Sequence, residues 1–181
     1  MRIEDTRVDG VRLITPQRFP DDRGYFVVTW AEDLFTQHGL TARVVQRNLS
    51  YNRAQHTLRG MHFQRAPHAE VKVVSCLVGA VYDVAIDLRP DSPSYLQWFG
   101  AELRADSGTM LYVPEGCAHG YLTLEPDSTV EYLVSEFHHP ESADGVRWDD
   151  AAFGIRWPAR PVVMAPRDAN YPDFASVRVA R

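Results

Sequence analysis

Cysteine is scarce in this 181-residue chain: Cys76 and Cys117 are its two thiols, they form no CxxC pair, and they give neither a disulfide framework nor a thiolate metal site. No stretch approaches the roughly 18 apolar residues of a membrane-crossing helix. The opening residues, MRIEDTRVDGVRLITP, lack the apolar segment of a signal peptide. These absences predict a cytoplasmic protein with no membrane partner. Positive charge is also short. The formal net charge is -5 and the arginines are scattered, which argues against nucleic acid while leaving room for a small anion held by a few placed cations. Internal repeats, low-complexity tracts and linkers are missing too, so a single domain over 1–181 is predicted.

What the chain has in quantity is short runs rich in Val, Ile, Tyr and Phe between turn signals: VRLITP, GYFVVTW, ARVVQRNLSYN, TLRGMHFQ, VKVVSCLVG, AVYDVAIDLR, YLQWFGAELR, TMLYVP, AHGYLTLE and STVEYLVSEF. That rhythm predicts antiparallel β-structure. In AVYDVAIDLR, Val81, Asp83, Ala85 and Asp87 alternate with Tyr82, Val84, Ile86 and Leu88, which fits a strand with one wet side, and the two aspartates read as structural residues pairing within the barrel. One segment, AEDLFTQHGL, reads as a helix, with Gly39 at its stop. Ten strands in so small a unit leave exposed edges unless the sheet closes or doubles, so a barrel or jelly roll is expected. The final fifth, rich in Pro, Asp and aromatics, is expected to wrap the barrel as loops and short turns, with Trp148 and Trp157 packing and Asp149 and Asp150 at turns. Cys76, inside an apolar run, reads as an inert buried thiol.

Polar chemistry concentrates in LRGMHFQRAPHAEVK, residues 58–72, and in GTMLYVPEGCAHG. The latter has the spacing G-x5-P-x-G-x2-H through Gly108, Pro114, Gly116 and His119. It resembles the second motif of the cupin superfamily, double-stranded β-helix barrels with an interior site. A metal-binding cupin also needs a His-x-His, but here His62 is followed two residues later by Gln64, and Pro67 places His68 and Glu70 in a turn. No metal is therefore expected. His68 and Glu70 read as turn residues, and His56 and His139 as surface or loop residues.

A longer resemblance covers nearly the whole chain. FPDDRGYF, QRNLSYN, LRGMHFQ, VKVVSCLVGAVYDVAIDLRPDSPSY, YVPEGCAHGYLTL, VEYLVSEFHHPES, GVRWDDAAFGIRWP and PRDANYP occur in the order and spacing of the dTDP-4-dehydrorhamnose 3,5-epimerase family. The resemblance implies an all-β, cupin-type jelly-roll barrel with short flanking helices and a loop-rich C-terminal wrap. It also implies a homodimer that uses neither metal nor cofactor and epimerises a nucleotide-linked 4-keto-6-deoxysugar. A ketone at C4 acidifies C3–H and C5–H, so the reaction needs a base, a group that stabilises the oxyanion, and an acid on the opposite face. By resemblance, His62 is the base, Asp168 the carboxylate that orients it, Lys72 the cation at the oxyanion and Tyr132 the proton donor. Arg23, Gln46, Asn48, Arg59 and His119 match binding positions, and the two arginines suit a diphosphate.

The pattern breaks where the family binds its nucleotide. Val28 replaces a Glu, His138 a stacking Tyr, Ala143 an acidic residue beside Asp144, and Arg167 a Lys. The substrate expected is a nucleotide-diphosphate sugar, with dTDP, CDP and GDP all open as carriers and C3, C5 or both as the centre inverted. Three other readings stand beside this one: a sugar 3,4-ketoisomerase, a metal-dependent cupin built on His62, Glu70 and His119, and a non-catalytic sugar-nucleotide binding barrel.

Overall fold

Two β-sheets stacked face to face make up the computed structural model, which describes residues 1–174. The tail 175–181, read above as part of the same unit, lies outside the described residues. The first elements are β1 (Arg2–Asp5), β2 (Arg12–Thr15), β3 (Arg18–Asp21), β4 (Gly24–Val27) and α1 (Glu32–Gln37). The central strands follow as β5 (Gln46–Asn52), β6 (Thr57–Gln64), β7 (Lys72–Val78), β8 (Ala80–Asp87), β9 (Trp98–Arg104), β10 (Met110–Val113), β11 (Cys117–Thr123) and β12 (Ser128–Val134). Last come β13 (Ala143–Gly145), β14 (Val163–Met164) and α2 (Pro166–Ala169).

One sheet runs β1-β2-β10-β7-β12-β5 and the other β13-β6-β11-β8-β9, with β14 added beside β6. Strands β3 and β4 form a separate hairpin. The inner faces meet in a core that includes Val74, Val81, Leu103, Leu111, Tyr121 and Val130, all at or near zero exposure. Each such aliphatic side chain contributes about 1.5–3 kcal/mol relative to leaving it in water. Helix α1 forms where AEDLFTQHGL predicts it and lays Phe35 against Ile14 and Tyr112. Gly39, just past it, takes φ +68, a conformation costly for any residue with a Cβ.

The C-terminal wrap is real, and it alters the reading of β8. It covers a second apolar cluster on the outer face of β6, β8 and β11, where Met61, Val84 and Ile86 meet Val146, Phe153 and Trp157. Trp157 packs there and donates its indole N–H to the Trp148 carbonyl at 2.9 Å. Strand β8 therefore has no wet side. Asp83 and Asp87, read as structural residues pairing within the barrel, are fully buried, because their face lines the space between the sheets, and each has a partner there. Cys76 is buried as expected and Cys117 is buried too, and burial pushes Cys76 up to about 11 and Cys117 up to about 12. Among the described residues no helix is long and apolar enough to cross a membrane.

Candidate active site

Strand register places one half of the site. In the first sheet Gln46, Val134 and Lys72 align across β5, β12 and β7, with Asn48, Tyr132 and Val74 in the next row. Residues two apart in a strand share a face. Gln46, Asn48, Lys72 and Tyr132 consequently point the same way, and Gln46 donates to the Asn48 side-chain oxygen at 2.6 Å.

The second sheet reaches the same space through an irregularity. His62 of β6 lies opposite His119 of β11, whereas Tyr121 pairs with Arg59, so three residues of β6 span what two of β11 span. A regular strand would send Arg59 and His62 to opposite faces. The extra residue lets both face the cavity, as bulges beside functional sites commonly do. Gly60 makes this possible: its φ is +132, and a Cβ there would sit 2.5 Å from the Gly120 Cα.

Asp168 comes from the far end of the chain. Val163 and Met164 add in parallel beside Thr57 and Leu58 of β6, and Pro166 then opens α2 from an extended Ala165. Pro suits a first helical position, since no N–H is required of it. The turn delivers Asp168 Oδ1 to 2.7 Å from His62 Nε2, while Oδ2 accepts the Gly60 N–H at 3.1 Å. Burial works to raise the Asp168 carboxyl, but the hydrogen bond and charge of His62, with the Gly60 N–H, outweigh it and hold the group below the usual carboxylate range. The His62 ring is still partly open to solvent, and Tyr171 meets it edge-on at 6.3 Å between centroids.

A second imidazole–carboxylate pair lies alongside. His119 Nε2 is 2.7 Å from Asp83 Oδ1, both side chains are buried, and Asp83 Oδ2 has no partner among the described residues. Burial raises the Asp83 carboxyl, and His119 offsets only part of that. Arg59 is braced by Asn52, whose Oδ1 accepts its Nε–H at 2.8 Å. Tyr121 donates its hydroxyl to Ser50 at 2.9 Å, and burial pushes that phenol upward.

Two cavities open onto this arrangement. The larger, about 540 Å³, is lined by Arg59, His62, Lys72, His119, Tyr132, Arg167 and Asp168 among others. The smaller, about 370 Å³, holds Gln46, Asn48, His138, Ala143 and Asp144. His62, Lys72, Tyr132 and Arg167 line both and form their shared boundary. Ten of the eleven expected site residues thus lie on one continuous space. Arg23 does not: it sits at the turn of the β3–β4 hairpin, 90% exposed, and pairs with Asp21 at 2.7 Å. Val28 lines neither cavity.

Glu70 corrects the sequence reading in the other direction. It is no plain turn residue: its Oε1 is 2.5 Å from Lys72 Nζ, and it lines the smaller cavity. The missed signal was its i, i+2 relation to Lys72, which predicts a shared face. His62, Glu70 and His119 do not converge as a ligand set. Among the described residues, the one His/Cys/Asp/Glu cluster with metal-ligand proximity is His68, His139 and Glu141, which contains none of the three.

Two solved structures that this chain resembles throughout are sugar epimerases. The crystal structure of dTDP-4-dehydrorhamnose 3,5-epimerase from Bacillus anthracis, with TDP and PPi bound, superposes with a TM-score of 0.92 at 38% identity, covering 96% of this chain and 99% of that one. A 3'-monoepimerase from Streptomyces bikiniensis in complex with dTDP-quinovose gives 0.89 at 29% identity, covering 97% and 89%. Fold and neighbours together define a cupin-type epimerase, an enzyme of the isomerase class. A family model described as dTDP-4-dehydrorhamnose 3,5-epimerase matches residues 5–176, and the enzyme of that name from Sinorhizobium fredii is 38% identical over 99% of this chain and 93% of its own. The chain belongs to the dTDP-4-dehydrorhamnose 3,5-epimerase family.

Proposed function

We propose that this chain epimerises a dTDP-linked 4-keto-6-deoxyhexose at C3, C5 or both, in deoxysugar biosynthesis. The observation that carries the reading is the His62 imidazole, held by Asp168 and bordering the same cavity as Lys72 and Tyr132. An ionised carboxylate only accepts hydrogen bonds, so His62 keeps its proton on Nε2, donating it to Asp168, and the lone pair stays on the other ring nitrogen. That nitrogen removes the proton next to the ketone. The negative charge moves to the carbonyl oxygen, where the Lys72 ammonium stabilises it in a site shielded from water. Tyr132 returns a proton on the opposite face, and solvent restores the phenol. The ketone itself supplies the acidity, so the chemistry needs no cofactor.

The sugar is assigned to the larger cavity, Arg59 to the diphosphate, and the smaller cavity to the nucleoside, between Gln46, Asn48, His138 and Arg167. Structures of relatives with TDP or dTDP-quinovose bound support dTDP as the carrier. The enzyme is read as a cytoplasmic homodimer, one catalytic unit per chain, in which Arg23 serves the site of the other subunit.

Incubation in D2O with the dTDP, CDP and GDP 4-keto-6-deoxysugars, followed by NMR, tests carrier, site and activity together. Deuterium is expected at C3 or C5 with the carbonyl still at C4, and a carbonyl that migrates would indicate ketoisomerisation instead. His62→Ala is expected to cut exchange by about 10³-fold, in the range set by removing a general base, while calorimetric dTDP binding changes little. An exchange rate untouched by that change removes His62 from the role of base.

A further inference from the structure

Glu70 and Lys72 form a nearly dry ion pair on the boundary between the two cavities. Their side chains are 14% and 12% exposed, and the carboxylate oxygen lies 2.5 Å from the ammonium. The backbone between them is pinned, because Val71 N–H donates to the Ser135 hydroxyl at 2.8 Å and Ser135 N–H donates to the Val71 carbonyl at 3.1 Å. Glu70 lines the smaller cavity, whereas Lys72 lines both.

Building on the assignment of Lys72 to the developing oxyanion, we propose that Glu70 is a positioning residue that holds the Lys72 ammonium at the sugar-facing boundary. A lysine ends a flexible four-carbon stem with a strongly hydrated head. Left unpartnered in a space this dry, the head would swing toward water to escape the cost of burial. One N–H donated to Glu70 fixes the ammonium and leaves two donors for a ligand. The Glu70 charge works against the enolate, since two negative centres would then flank one cation. Its contribution therefore lies in geometry, and a neutral acceptor of the same shape should perform it.

This separates position from charge. Glu70→Gln keeps an oxygen that accepts from Lys72, while Glu70→Ala keeps nothing. We expect the alanine variant to lose about tenfold or more in kcat for deuterium exchange, as expected when a catalytic group drifts by an ångström, with dTDP affinity and KM nearly unchanged. The glutamine variant should return kcat to within about threefold of the parent. In a Lys72→Met background, Glu70→Ala should cost nothing further, as required of a residue acting through Lys72. If alanine prevents folding, Glu70→Met keeps the packing volume and carries the same expectation.

The proposal is overturned by an alanine variant with parental kcat, by equal losses in the alanine and glutamine variants, or by a full loss on top of Lys72→Met. The parent reading fails separately. If Lys72→Met alone exchanges at the parental rate, Lys72 is not at the oxyanion; if it is slow while Glu70→Ala is not, only the role of Glu70 falls.

Discussion

Asp83 and Asp87 share a strand, a face and complete burial, yet their carboxyls are driven in opposite directions. Asp83 has one partner, His119, and burial wins, raising its carboxyl. Around Asp87 burial also raises the group, but the Arg89 guanidinium, the Ser92 and Ser94 hydroxyls and the Arg89 backbone N–H outweigh it and hold the carboxyl at about 2. A folded-state value below the unfolded one gives stability that is complete above the ordinary carboxylate range and disappears as pH falls through the folded value. For Asp87 the window runs from about 4 down to about 2, and the stability involved is about 2 kcal/mol. Urea unfolding of Asp87→Asn against the parent should show that gap at pH 7 and its closure toward pH 2; a gap independent of pH would sink the assignment. Composition could not reveal this difference, because alternation gave both aspartates the same face and said nothing of what lay across from them. The His62–Asp168 pair was legible only through resemblance, since 106 residues separate its members and nothing local links them. Glu70 was legible from its period-two spacing to Lys72, but Pro67 drew attention to the turn instead.

Among the elements, ten strands and α1 could be read from the sequence, the strands as short runs of Val, Ile, Tyr and Phe between turn signals, several of them alternating, and the helix from its spacing and its Gly stop. The missed strands have weak signals: RIED in β1 is mostly charged, RFPD in β3 carries two charges and a Pro, and β13 and β14 are three and two residues long. The bulge in β6 left no trace in the pattern, yet it puts Arg59 and His62 on one face. Its physical requirement can be isolated with two glycines. Gly60 combines φ +132 with a close approach to Gly120, whereas Gly154, at φ +60, has nothing within 4 Å of a built Cβ. Gly154→Ala should cost about 1 kcal/mol, the price of left-handed backbone alone. Gly60→Ala adds overpacking against the facing strand and should cost about 2–4 kcal/mol. It should also lower exchange activity, because His62 sits two residues along. Denaturant midpoints for both variants test this, and equal losses would mean the Gly60–Gly120 approach does not constrain β6.

On the scale of the whole molecule, one group of surface residues is out of keeping with the rest. Phe19, Tyr25 and Phe26 on the β3–β4 hairpin are 50–65% exposed, and Leu49 and Tyr51 lie open on β5, at the edge of the first sheet. Exposed aromatics on a free hairpin, together with an unpaired strand edge, are the features that a second copy can cover. Arg23 sits at the turn of that hairpin, exposed and lining neither cavity of its own chain, which is the placement expected of a residue delivered to a partner's site. In the proposed homodimer a two-fold interface would make this reciprocal, each subunit lending an arginine and receiving one. Subunit mixing tests the arrangement. Arg23→Ala and His62→Ala homodimers should each be impaired, the first in KM and the second in kcat. Unfolded together and refolded at equal concentration, they form mixed dimers in which one site of the two combines an intact His62 with an intact Arg23 from across the interface. Assayed with substrate well below the parental KM, where both lesions show, random pairing then restores about a quarter of the parental rate. If Arg23 acted within its own chain, every site in the mixture would keep one lesion and no activity would return; a chain that runs as a monomer in light scattering would end the proposal outright.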